Sequence, residues 1–256
     1  MDWRHGHRPT TRIEILPLLR RLLPPIAAGL LIAGILLGAR LSGVFANEAA
    51  RPGADLQVLD GDTVEIASQI VHLFGIEAPE LGQRCLHDGV LTHCGLDAAF
   101  ELKKLVGVSQ SPLKCLPAAS RDSIPAAICM MGKTDLAHAL LLAGYVRTTD
   151  DASPAYKEAE AEAVQAGLGL WHSEFVDPVD WRAGERLPDQ GEANQDSCPI
   201  KAVITEDGRH VFYVPTDPDY RAVQIDPARG DRLFCSVDVA HAAKWRHALG
   251  GADAPR

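Results

Sequence analysis

Two short acidic turns stand fourteen residues apart in this chain: Asp60-Gly61-Asp62-Thr63 and Glu77-Ala78-Pro79-Glu80. A hard divalent cation such as calcium takes its ligands from carboxylate and backbone carbonyl oxygens. A further carboxylate beside it can take a proton from an attacking water. Each turn read singly is also an ordinary solvated turn, because Asp and Gly favour turns. The segment that joins them, residues 64–76, is β-branched and alternating, so it reads as a hairpin. Acidic residues at the two ends of paired strands can converge on one point.

The elements that must position these turns are legible further along. From Leu56 the sequence alternates and turns like a β-barrel sheet, with residues 113–116 and 126–130 as later short strands. Between them Leu96, Ala99, Phe100, Leu102 and Leu105 have helical spacing, which predicts a helix over 96–106 that Gly107 ends. Asp135 is a good N-cap for a second helix, stopped by Gly144. A third spans 153–166, where Ser153 caps, Pro154 opens and Gly167 closes. Residues 183–197 are a polar linker, and 198–256 form a compact β-then-helix unit. There Glu206-Asp207-Gly208 turns a hairpin, and Ser236 is placed to cap a final helix through Trp245.

Charge and cysteine usage bound the partners and the compartment. The chain carries 25 Lys and Arg against 34 Asp and Glu, a formal charge of −9. Residues 56–182 hold nine basic against eighteen acidic side chains, whereas residues 1–46 hold six Arg against two acids. A polyanion-binding surface gains affinity from Lys and Arg that displace counterions, so the acidic balance of 56–182 predicts weak nucleic-acid binding. Five arginines precede an uncharged apolar run over 22–39, closed by Arg40. That run suits either an uncleaved signal-anchor that tethers the chain to the membrane, or a signal peptide cut after Val44-Phe45-Ala46. Both place residues after 46 outside the cytoplasm, with 47–55 as a short linker. The six cysteines all follow that segment, as expected where disulfides persist. Six cysteines allow fifteen pairings; local spacing favours Cys85 with Cys94, Cys115 with Cys129, and Cys198 with Cys235. Without a CxxC the set does not suit structural zinc.

Residues 56–182 resemble the staphylococcal nuclease-like (thermonuclease) family. The resemblance rests on Val58-Leu59-Asp60-Gly61-Asp62-Thr63-Val64, Leu73-Phe74-Gly75-Ile76-Glu77-Ala78-Pro79-Glu80, Asp135-Leu136-Ala137 with Gly144-Tyr145, and Gly167-Leu168-Gly169-Leu170-Trp171, in the family's order and spacing. Residues 198–256 look like the small cysteine-paired module that often follows such domains, with Tyr213 where a His is usual. The resemblance implies an α+β fold, an OB-type five-stranded β-barrel with three helices and a small C-terminal β/α module, to which the apolar run over 22–39 adds an N-terminal membrane or signal helix. It also implies a calcium-dependent phosphodiesterase acting on DNA or RNA. Its calcium would lie between Asp62, Glu77 and the carbonyl of Ala78, with Asp60 in the outer shell and Glu80 as general base.

The phosphate side departs from that pattern. Developing charge on phosphate oxygens is usually met by fixed guanidinium donors. The family's two arginine positions fall here on His72 and Ile124. A histidine lacks the planar bidentate fork, and an isoleucine offers no donor. Arg121 is the nearby guanidinium that could compensate, with Arg84 in the loop after Glu80. Two readings follow: a weak exported nuclease, or a catalytically inactive nuclease-fold module that binds or scaffolds at the cell envelope.

Overall fold

The computed structural model describes residues 56–109, 111–120, 123–188 and 198–248, all within the compact unit Asn47–Arg256. The strands are β1 (Leu56–Val58), β2 (Thr63–Ile66), β3 (Gln69–Leu73), β4 (Ile76–Glu77), β5 (Cys85–His87), β6 (Val90–Thr92), β7 (Leu113–Ala118), β8 (Ala126–Met131), β9 (Thr134–Asp135), β10 (Arg147–Thr148), β11 (Ile200–Ile204), β12 (His210–Tyr213), β13 (Arg232–Phe234) and β14 (Arg246–His247). The helices are α1 (Cys94–Val108), α2 (Leu136–Leu142), α3 (Pro154–Ala166), α4 (Pro178–Arg182) and α5 (Val237–Ala242). The architecture is mixed α+β, built on a curled sheet in the order β1-β2-β3-β8-β7 with β9 on β8.

The predicted hairpin is β2–β3, with Thr63 opposite His72 and Val64 opposite Val71. Its two-residue turn holds Ala67 and Ser68 in the left-handed region, φ 48° and 65°, the geometry that matches the twist of a hairpin. Alternation buries Val64, Val71 and Leu73 on one face. β3 then runs parallel to β8, pairing His72 with Ala126, so the segment just before β8 lies beside His72.

Capping chemistry sets the helix starts. The Asp135 side chain accepts from the His138 N–H, and Ser153 accepts from the Tyr156 N–H. Gly167 closes α3 with φ 59°, a conformation that side chains rarely adopt. Two helix expectations need correction. Gly107 lies inside α1, which runs to Val108. α5 stops at Ala242 rather than reaching Trp245, and Ser236 sits at its N-cap without a side-chain capping bond. Lys244, with φ 67°, turns the chain out of the helix, and Trp245 packs into the core.

The cysteines pair as the spacing favoured: Cys85–Cys94, Cys115–Cys129 and Cys198–Cys235. Cys115 and Cys129 are direct cross-strand partners in β7–β8. Residues 198–248 form a four-stranded sheet, β13-β11-β12-β14, and share a core with the preceding part. One apolar cluster joins Leu59, Leu81 and Ala99 to Ile200, Phe212, Val237 and Trp245. The Thr216 hydroxyl donates to the Val58 carbonyl at 2.5 Å, and the Gly82 N–H donates to the Cys235 carbonyl at 2.9 Å. Gly82 is required there, because a Cβ would lie 2.7 Å from the Cys235 side chain. No described helix is long and apolar enough to cross a membrane; the apolar run over 22–39 lies outside the described residues.

Candidate active site

The two acidic turns do meet. Asp60, Asp62, Glu77, Ala78 and Glu80 line one hollow with His72, Ile76, Arg182 and Asp238. The link between the turns is Asp62: its Oδ2 accepts the Ala78 N–H at 2.6 Å, and its Oδ1 accepts the Thr63 hydroxyl at 2.9 Å. Asp60 Oδ1 in turn accepts the Asp62 N–H at 3.1 Å. Gly61 makes this closeness possible, since a Cβ there would sit 2.7 Å from the Cβ atoms of Ala78 and Ala98.

Across the hairpin, His72 Nδ1 shares a hydrogen bond with the Thr63 hydroxyl at 3.0 Å and lies 3.9 Å from Asp62. Its Nε2 lies 3.4 Å from Asp238, which enters from the first turn of α5. Ile124 is buried and lines a neighbouring hollow with His72, not the carboxylate hollow itself. Arg121 lies outside the described residues.

The cation at the centre comes from a residue the sequence reading did not single out. Arg182 Nη2 donates to Glu77 Oε2 at 2.8 Å, and its Nη1 donates to Glu80 Oε1 at 2.7 Å. Its delivery can be traced. Arg147 on β10 is the cross-strand partner of Glu77 and forms an ion pair with Asp177. Asp177 caps α4 by accepting the Val179 N–H. Buried Trp181 anchors that one-turn helix, and Arg182 at its last position turns back over Glu77 and Glu80. Buried Gln83 ties the approach down, donating to the Val176 carbonyl at 2.6 Å and accepting the Glu80 N–H at 3.2 Å. Nothing local in the sequence of α4 signals this role.

The electrostatics follow from five carboxylates gathered around one guanidinium. Burial, reinforced by Asp62 and Glu80, holds the Asp60 carboxyl well above its ordinary range. Burial and then the charge of Asp238 push Glu80 up to about 8, against the opposing pull of Arg182. Burial alone would weaken the charge on Arg182, but Glu80 and Glu77 more than reverse that and hold it protonated. Near neutral pH Glu80 is therefore largely a protonated acid, the wrong form for a general base. The hollow measures about 30 Å³, room for a water or two.

Calcium needs six to eight oxygens in its first shell, and the donors do not fit it as arranged. Both oxygens of Asp62 accept protein hydrogens, and Glu77 and Glu80 each give an oxygen to Arg182. Among the described residues, no three His, Cys, Asp or Glu side chains are placed to hold a metal ion.

A second buried ionic group lies further along β2, on the face that carries Thr63. His247 is 3% exposed, with Nδ1 at 2.5 Å from Glu65 and Nε2 at 3.0 Å from Asp217. Burial disfavours the imidazolium, but hydrogen bonds and charge from Asp217 and Glu65 outweigh it and raise its pKa to about 9. This cation joins β14 to β2, and no spacing in the sequence announced it.

No protein-family model matches the chain. Over 147 residues it is 32% identical to the succinoglycan biosynthesis protein ExoI of Rhizobium meliloti strain 1021, covering 55% of this chain and 75% of that protein. At that identity and coverage, the chain belongs to the family of the succinoglycan biosynthesis protein ExoI.

Proposed function

We propose that this chain is a nuclease-fold module of the cell envelope, built on an OB-type barrel, that serves polysaccharide assembly by binding or scaffolding rather than by cutting phosphodiesters. The observation that carries this reading is the Arg182 fork across Glu77 and Glu80. It occupies the carboxylates on which metal-assisted hydrolysis would depend, in a hollow of about 30 Å³ that also takes in Asp238. The acidic balance of residues 56–182 also works against a polyanionic substrate. The name of the Rhizobium relative supports the polysaccharide context, and three disulfides support an oxidising compartment. The arginine flank and apolar run over 22–39 support tethering to the membrane, or export after cleavage.

One observation favours a second reading. Arg182 brings a guanidinium to within 2.7 Å of the candidate base Glu80, and so could take over from the arginines replaced by His72 and Ile124. The protein would then be a calcium-dependent phosphodiesterase, slow near neutrality and faster as Glu80 loses its proton near pH 8. An assay of the purified chain on single-stranded DNA and on RNA, with calcium and with chelator, separates the two. The binding-module reading expects no calcium-dependent cleavage. Cleavage that Glu80→Gln abolishes would replace it with the hydrolase.

A further inference from the structure

A larger cavity of about 400 Å³ lies away from the carboxylate hollow, between α1, the β5–β6 hairpin and the 3₁₀ turn Gly169–His172. Its volume falls within the ~300–1,000 Å³ range of small-molecule sites. One side is a single face of α1: Asp97, Phe100, Glu101 and Lys104 follow one another at helical spacing. The opposite face of α1 is buried through Ala98, Ala99, Leu102 and Val106. The sequence reading put Phe100 on that apolar face. It is instead 47% exposed and lines the cavity, an aromatic ring that the core does not use. Tyr145 supplies a second ring.

The polar lining is mixed in sign. Lys104 Nζ contacts both oxygens of Glu101 at 3.0 Å, which leaves Asp97 as the acid beyond that pair. At the mouth, the His87 and His172 rings meet edge to face with centroids 4.2 Å apart. Each Nδ1 lies 3.1 Å from a backbone carbonyl, His172 and Gly167 respectively. A carbonyl can only accept, so each Nδ1 carries the hydrogen, and His87 Nε2 lies 3.6 Å from the Asp88 carboxylate. The Cys85–Cys94 disulfide locks the hairpin wall to the start of α1. The wall is thereby preorganised, which lowers the ordering cost of binding.

We infer that this cavity binds a short neutral saccharide segment, with a pyranose face against Phe100 and its hydroxyls on Asp97, Glu101 and Lys104. A β-gluco pyranose has its hydroxyls around the equator and axial C–H bonds on both faces, so it needs an aromatic surface flanked by donors and acceptors. Two carboxylates against one ammonium repel a phosphate chain or a uronate polymer. The choice of saccharide over another neutral ligand rests on the polysaccharide-assembly reading above.

The test is calorimetric titration of the full chain with cellotetraose, with tetragalacturonate as the anionic control and with single-stranded DNA cleavage followed in parallel. Saturable binding of cellotetraose is expected, weakened about tenfold by Phe100→Ala and likewise by Asp97→Asn, a change of about 1.4 kcal/mol each. Both positions are on the solvent face of α1, and an unchanged unfolding midpoint verifies that each variant is folded. No binding of cellotetraose, binding indifferent to both substitutions, or preference for tetragalacturonate would each overturn the inference. The two proposals fail separately. DNA cleavage alongside saccharide binding removes the binding-module reading and leaves the cavity assignment. Neither cleavage nor binding leaves the closed carboxylate site and removes the saccharide.

Discussion

Arg182 and Glu80 stand 102 residues apart in the chain, yet the guanidinium donates to the carboxylate at 2.7 Å and with its other arm to Glu77. A site reached by the resemblance as a place for a metal cation is thus filled by a side-chain cation. The guanidinium offsets the charge of Glu77 and weakens the hold of Glu80 on its proton, which burial and Asp238 otherwise strengthen.

Removing that cation should cost stability and open the hollow. Arg182→Ala is expected to lower unfolding free energy by about 2 kcal/mol, less than for a fully buried pair because the arginine is partly exposed. The acidic hollow left without its guanidinium should then favour a cation from solution. Calcium should therefore raise the thermal midpoint of Arg182→Ala while leaving the unmodified chain unchanged. Equal calcium responses in the two proteins would show that Arg182 does not block the site.

The pH dependence of stability has a definite sign. His247 is raised from 6.5 to about 9, so the folded state holds a proton that the unfolded chain releases between those values. Its contribution is fully present below pH 6.5, is lost as pH rises through 9, and is on the order of 3 kcal/mol. Glu80, raised from 4.5 to about 8, acts in the same direction: its part is present below 4.5 and lost as pH rises through 8. Urea midpoints should therefore fall as pH rises above about 4.5, more steeply above 6.5 where His247 joins, and level off past about 9. His247→Gln should lower stability near neutrality, by leaving Glu65 and Asp217 without their cation, and should flatten the alkaline decline.

Placing arginines at the two positions where the resemblance would have them should not create a nuclease. Ile124 is 4% exposed, and an arginine there would bury a charge at a cost of about 3 kcal/mol or more. His72→Arg would set a guanidinium beside Asp62 and Asp238, but Arg182 would still hold Glu77 and Glu80. The double variant His72→Arg with Ile124→Arg is expected to be less stable and no more active on single-stranded DNA. Strong calcium-dependent cleavage by that variant would argue for a functional carboxylate centre.

The Cys198–Cys235 bridge closes a separation of 37 residues, which by loop entropy is worth about 4 kcal/mol. Cys235 packs on Gly82, and α5 follows directly with Asp238 beside His72. The variant Cys198→Ser with Cys235→Ser should lose stability of that order and exchange the amides of α5 faster. Unchanged protection of α5 by hydrogen exchange would mean that Trp245 and Val237 hold the cover without the bridge.

The sequence by itself determined what depends on neighbours along the chain. The β2–β3 hairpin, the caps Asp135, Ser153 and Gly167, and the pairing of Cys115 with Cys129 all follow from local spacing and turn chemistry, which act over a few residues. It also brought Asp60, Asp62, Glu77 and Glu80 to one place, because a hairpin carries both of its ends with it. Only the tertiary structure decided what faces those carboxylates. Arg182 arrives through Arg147, Asp177 and a one-turn helix, and Asp238 arrives on a helix held by Gly82 and the shared core. Neither route leaves a periodic signal, since an ion pair between distant elements constrains two residues and nothing between them. Phe100 shows the same limit on a helix: its spacing suits the apolar stripe, but a position at the edge of that stripe turns inward or outward according to what packs beside it. Here the β5–β6 hairpin and the 3₁₀ turn leave a cavity on that side, and the ring faces it.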